Sequence, residues 1–335
     1  ASSPTRSTAS VAEEEVRVGS IVLGVGASHS TLMNTHWDKV VHTDRAEAFR
    51  DSLATVRDRL VALQPDVAVI IGSNHFRGFF LDMIPAFTLG VGEVIAAGEA
   101  GTPKGPQKTD PAFAQGVATH LVEAGVEVAI SARLQIDHGQ THAIQYLLDG
   151  IDIPVVPLVI NVFAQPLPTL PRCAELGRQL AAAIASVGEG RRVAVIASGG
   201  LSHQLPWPSD WSDPQNADEE FLVDAWLNGR GEWERFDKRR REIIVAAQPC
   251  IFEEFDYTFL ADLEAGHLEK YAELTSAGIE QVAGNGGQEL RTWLTMAAAL
   301  GFAPGESLCY SAMPEWLTGM GTAVIEPDHT TGVTP

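Results

Sequence analysis

The chain has 335 residues, 45% of them hydrophobic and 20% charged, and a formal net charge of −20. That charge argues against a nucleic-acid partner or an anionic membrane surface, both of which need a basic face. No apolar run reaches the roughly 18 residues of a membrane span. The three cysteines, Cys173, Cys250 and Cys309, are far apart and form no CxxC. They argue against a thiolate zinc site or a disulfide framework, and fit a reducing cytoplasm.

In chain order, residues 1–19 are small, polar and charged, and read as a disordered tail without the apolar stretch of a secretory signal. A β-rich run, SIVLGVG, covers residues 20–26. Residues 44–63 read as an amphipathic helix, with Phe49, Leu53, Val56, Leu60 and Leu63 at alternating spacings of four and three. The run DVAVIIG (66–72) is continuously apolar, as suits a strand covered on both faces. Residues 110–124 predict a helix, 126–130 (VEVAI) a strand and 138–148 a helix. PVVPLVIN (154–161) predicts a strand, 170–187 a helix and RVAVIAS (192–198) a strand. This alternation predicts an α/β fold, with a mostly parallel or mixed central sheet and helices on both faces. From residue 218 to about 301 the pattern becomes helical, and short strands near 307–311 and 322–326 are expected to rejoin the sheet. No repeat or linker is apparent, so residues 20–327 are expected to form a single catalytic domain and 328–335 a frayed tail.

Four of the ten histidines lie just beyond predicted strands: His29, His75, His138 and His203. Ligands of open α/β sheets bind at the carboxyl ends of strands, so this placement gathers imidazoles where a site is expected. One such histidine alone is more often a loop or capping residue; the repetition carries the argument. Glycines in GGLSHQ let the backbone around His203 turn sharply. His142, one helical turn after His138, is as well placed to line the cleft as to be structural.

Glu289, in AGNGGQELRTWLTMAAAL, shares a helical stripe with Trp293 and Met296. A carboxylate facing a core needs a partner or a metal. Its bland alternative is an exposed first-turn glutamate that favours the helix dipole. Two histidines and one carboxylate with open positions suit non-haem iron(II) oxygen chemistry. Zinc, and with it a metallohydrolase, stays open at this point, although no HExxH is present.

The segments GASHSTL, GSNHFRGFFLDMIPAFTLGVG, QIDHGQTHAIQYLL, PVVPLVINVFAQPLP, ASGGLSHQLP, AGNGGQELRTWL and MPEWLTGMG occur in order between residues 21 and 326. With them the chain resembles the class III extradiol ring-cleavage dioxygenases, the superfamily of protocatechuate 4,5-dioxygenase, and most closely its dihydroxyphenylpropionate-type members. The resemblance implies an Fe(2+) site held by His29, His75 and Glu289, with His138 and His203 as acid–base groups. It implies no organic cofactor. The partners expected are O2, a small aromatic diol with a side chain beside the hydroxyl pair, and further copies of the chain in a homo-oligomer. Residues 31–42 and 207–231 depart from the family pattern and are expected to border the substrate. Phe79, Phe80, Phe87 and Met83 are candidates for an apolar wall, with at least two of the phenylalanines expected in the core. Arg77 is a candidate partner for a substrate carboxylate.

Overall fold

The computed structural model describes residues 18–327. The expected tails therefore lie almost wholly outside the described residues. Nine strands form one mixed sheet. They are β1 (Ser20–Ala27), β2 (Val67–Ser73), β3 (Phe87–Ala97), β4 (Lys104–Gln107), β5 (Ala129–Ile136), β6 (Val155–Ile160), β7 (Arg192–Ser198), β8 (Glu306–Met313) and β9 (Thr318–Ile325). The helices are α1 (Thr31–Thr35), α2 (Thr43–Leu63), α3 (Pro111–Glu123), α4 (His138–Leu147), α5 (Leu170–Val187), α6 (Ala217–Asn228), α7 (Trp233–Ala246), α8 (Glu253–Glu264), α9 (Ser276–Ala283) and α10 (Leu290–Ala299).

The sheet order is β4-β3-β6-β2-β7-β1-β9-β8, with β5 paired to β3. The centre, β6-β2-β7-β1, is parallel, whereas β9, β8 and the β3–β6 pair run antiparallel. Every residue of β2 and β6 is buried, as the continuous apolar runs require. Alternation then assigns faces. Val67, Val69, Ile71, Val193 and Val195 pack towards α5 and α10, and Ala68, Ile70, Ala194 and Ile196 towards α2 and α4. Ala27, Gly72 and Ser198 stand in register, so three parallel strands deliver their following loops to one edge.

Two regions differ from the sequence expectation. The strand expected at 126–130 begins at Ala129 and runs to Ile136, and is largely exposed over its first half. Strands β3 and β4 were not anticipated. Gly90 and Gly92 weaken the β signal of β3, yet both are needed: a Cβ at Gly92 would overlap the Ala132 carbonyl of β5, and one at Gly90 would press on Pro157 of β6.

Candidate active site

His29 follows β1 and His75 follows β2; both are buried. The His29 Nδ1 lies 3.0 Å from Ser198 Oγ at the end of β7. The His75 Nδ1 lies 3.1 Å from Asp137 Oδ1, and its backbone N–H donates to Asp137 Oδ2 at 2.6 Å. With each Nδ1 held, each Nε2 turns to the same point. Glu289 Oε1 lies 3.3 Å from His29 Nε2 and 3.7 Å from His75 Nε2.

Glu289 reaches that point from a tight turn, Asn285–Glu289, that leads into α10. All ten residues of α10 are buried, and Glu289 is 2% exposed, which removes the solvent-facing alternative. Its Oε1 accepts from Ser73 Oγ at 2.5 Å and its Oε2 from the Gly200 N–H at 2.7 Å. Burial by itself would raise this carboxyl, but His29, with His75 and His203 beyond, holds it well below the usual carboxylate range. Among the described residues the His29 Nε2 has no hydrogen-bond partner. A buried ring nitrogen without a partner, beside an ionised carboxylate and a second imidazole nitrogen, fits a metal ion.

His138 opens α4, whose N-cap is Asp137. Its Nδ1 lies 2.6 Å from Glu99 Oε1, which also accepts the His138 backbone N–H at 3.0 Å. Its ring stacks on His75 with centroids 3.7 Å apart. Burial, then the neighbouring His75, pushes the His138 imidazole well below its ordinary range, with Asp137 opposing. His203 sits in the loop after β7. Its Nδ1 is 2.9 Å from the Leu201 carbonyl, which can only accept, so this nitrogen carries the proton and Nε2 keeps its lone pair. Burial lowers the His203 imidazole too, against the opposing pull of Glu289. A Cβ at Gly286 would overlap the His203 ring, which explains the glycine-rich approach to Glu289.

All five residues singled out in the sequence therefore meet. One cavity touches His29, His75, His138, His203 and Glu289. His29, His75 and His138 can also present one nitrogen each within 4.8 Å of one another. His142 does not line this cavity. It lies behind His29 at 6.0 Å, with neither ring nitrogen hydrogen-bonded, and burial pushes it down to about 3.

The walls differ from the sequence expectation. Trp207, Trp316, Leu205, Leu317 and Ile244 supply the apolar lining, joined by Thr31 and Leu32. Residues 31–42 and 207–231 thus each contribute to the border, as expected. The wall proposed from Phe79, Phe80 and Met83 belongs instead to a separate cleft of about 870 Å³ that none of the five site residues lines. Phe80 and Phe87 are core residues, and Met83 is 72% exposed. Arg77 is not free for substrate, because its Nη2 is 2.5 Å from Glu99 Oε2. Sequence reasoning missed Glu99, Ser73, Ser198 and Arg240; Asp137 was visible only as part of the DHG context.

Residues 23–321 match the family described as the catalytic LigB subunit of aromatic ring-opening dioxygenase. The chain belongs to this family and is a ring-cleaving dioxygenase of the class III extradiol type. Such enzymes use a metal and act on an aromatic diol with O2. It is 29% identical over 307 residues to the 2,3-dihydroxyphenylpropionate/2,3-dihydroxicinnamic acid 1,2-dioxygenases of Escherichia coli K12 and of Escherichia coli O139:H28, covering 86% of this chain and 95% of each relative. In fold it is similar to the crystal structure of the uncharacterized protein JW3007 from Escherichia coli K12. There the TM-score is 0.51 at 16% identity, over 91% of this chain and 99% of the other. Among the described residues no helix is long and apolar enough to cross a membrane.

Proposed function

We propose that the chain is an Fe(2+)-dependent extradiol dioxygenase that cleaves a side-chain-substituted catechol, with His29, His75 and Glu289 as metal ligands. The observation that carries this reading is the convergence of two buried Nε2 atoms on Glu289 Oε1, with both Nδ1 atoms held from behind. That is a two-histidine, one-carboxylate set with room for further ligands. When bound, the iron would take up the diol oxygens and O2 together and allow charge to pass between them. Its residues 20–327 act in this reading as one catalytic unit. Three unpaired cysteines suit a cytoplasmic location, and a homo-oligomer is the proposed assembly.

The chain's own groups would handle protons and placement. His203, with Nδ1 committed to a carbonyl, offers Nε2 to take a proton from a diol hydroxyl. His138, with Nδ1 against the Glu99 carboxylate, can carry and return a proton during ring opening. The tryptophan and leucine walls exclude water and hold the ring faces.

One observation favours a second ligand set, the three imidazoles of His29, His75 and His138. Its weakness is the stacking of His138 on His75, which sets the two rings face to face rather than edge-on to a common ion.

The test is anaerobic purification or iron reconstitution, followed by metal analysis and O2 uptake on a panel of catechols. About one ferrous ion per chain is expected, with loss of iron in His29→Ala, His75→Ala and Glu289→Ala. Active enzyme filled with zinc and devoid of iron overturns the metal assignment. A higher kcat/KM on protocatechuate or gallate than on 3-substituted catechols overturns the substrate assignment.

A further inference from the structure

Helix α7 carries Trp233, Asp237, Arg240 and Ile244 at spacings of four, three and four, which is one helical face. Arg240 and Ile244 line the cavity of His29, His75 and Glu289. Arg240 is only 7% exposed. Its Nε has no hydrogen-bond partner, and among the described residues it forms no ion pair. Glu99 holds Arg77 at 2.5 Å and His138 at 2.6 Å. Asp237 holds Arg241 at 2.8 Å through Oδ2, while its Oδ1 lies 3.7 Å from Arg77 Nη2 and has no hydrogen-bond partner among the described residues. Trp233 gives partial cover, with its ring 5.2 Å from the Arg240 guanidinium carbon. Burial draws that guanidinium down to about 10, which leaves it cationic at neutral pH.

Glu99, Asp237 and Asp137 oppose that lowering from a distance, but none of them forms an ion pair with Arg240, and a buried cation without a contacting carboxylate is a standing cost to the fold. Removing it for a methionine or leucine would relieve that cost, so its presence in the wall of the site calls for a ligand that completes it. Resting on the ring-cleavage reading above, we propose that Arg240 determines substrate specificity by pairing with a carboxylate on the short side chain of the aromatic diol. The planar fork of a guanidinium matches a carboxylate in two parallel hydrogen bonds. The substrate is then held at both ends, by its hydroxyl pair at the His–Glu cluster and by its acid group at α7. Its ring lies against the apolar wall that Trp207 and Trp316 contribute. Arg240 takes the role that the sequence suggested for Arg77, which is spent on Glu99.

The test uses the iron-loaded full-length enzyme with 3-(2,3-dihydroxyphenyl)propionate and its methyl ester. The ratio of kcat/KM for acid over ester is measured for the wild type, Arg240→Met and Arg240→Lys. Arg240→Met should lower the ratio by about 10- to 100-fold, the worth of one hydrogen-bonded charge pair, and mainly through KM. Arg240→Lys should restore part of it. Arg240→Met should melt no lower than the wild type. An unchanged ratio overturns the proposal, and so does an equal loss on acid and ester, which marks a structural role. The ring chemistry is separated by calorimetry with 3-phenylpropionate and 3-phenylpropanol, which have no diol. Tighter, Arg240-dependent binding of the acid, with no catechol cleaved, keeps the anion site and sinks the ring-cleavage reading. Equal affinity of the wild type for both compounds overturns the anion site whatever the ring chemistry.

Discussion

Asp137 and His75 are joined twice: the carboxylate accepts the His75 backbone N–H through Oδ2 and faces its Nδ1 through Oδ1. The same Oδ1 accepts the Gly139 N–H at 2.9 Å and so caps α4. One side chain therefore fixes the ring of His75 and the start of the helix that carries His138. A carboxylate behind a metal-bound histidine sets its tautomer and raises its basicity. Asp137→Asn keeps a good capping residue but loses the negative charge. It should weaken metal affinity by about 10- to 100-fold and, because the amide NH2 then faces the buried His75 N–H, lower the thermal midpoint by the worth of about 1–3 kcal/mol. Competition with a chelator, beside a melting curve, checks both halves. Unchanged metal affinity would show that the carboxylate serves the backbone alone.

The two proposed proton-transfer residues separate binding from chemistry. His138→Ala and His203→Ala should retain metal and lose turnover by about 10²- to 10⁴-fold, the range of general acid–base groups. Metal analysis and single-turnover kinetics on the same samples decide this. Metal loss in His138→Ala as severe as in His29→Ala would instead support the three-imidazole ligand set.

The parallel strands and the histidines after them were legible because both signals are local: an apolar run, then a His. The bland reading of Glu289 fell only when the structure buried it. Glu99 gave no signal, since it lies in a glycine-flanked turn and gains its meaning from Arg77 and His138, far away in sequence. Arg240 sits in KRRR, between Arg239 and Arg241, whose side chains are 51% and 48% exposed. Nothing in that run distinguishes the arginine that turns inward. The helix's inward face is defined by what it packs on, which a basic amphipathic sequence does not declare.

Asp256 supplies a pH test. It is buried under the GGLSH loop, accepting the Ser202 N–H and Oγ at 2.8 Å each and the Tyr310 hydroxyl at 2.7 Å. Burial raises its carboxyl from 3.8 to about 6 and outweighs the hydrogen bonds from Tyr310 and Ser202, which pull it down. The folded state therefore binds this proton more tightly than the unfolded chain. Stability is lost as pH rises through the window from about 4 to about 6, and the loss is complete above it. The difference converts to roughly 3 kcal/mol at most. Asp256→Asn cannot titrate, so the stability of the wild type relative to this variant should fall between pH 4 and pH 7. Urea titrations at several pH values measure it. A gap that stays constant with pH would show that Asp256 is ionised throughout.

Arg77 and Glu99 form a buried ion pair. Each is nearly inaccessible, with side chains 7% exposed, and their Nη2 and Oε2 are 2.5 Å apart. Burial lowers Arg77 and would by itself raise Glu99, yet the Arg77 charge pulls Glu99 below its ordinary range. Arg77 also stacks over Trp233 at 3.7 Å, and Glu99 holds His138. Removing either partner strands the other charge away from water, at a cost of about 3–5 kcal/mol. Arg77→Met and Glu99→Gln should each destabilise on that scale, and the double variant should be less destabilised than the sum of the two. Denaturant unfolding of all four proteins gives this coupling directly. Activity should divide differently, because Glu99 faces His138, the proposed proton-transfer residue, and Arg77 only supports Glu99. The double variant should recover stability and remain slow in turnover. Additive losses in stability would mean that the two charges do not depend on each other. A double variant that turns over like the wild type would remove Glu99 from any part in holding His138.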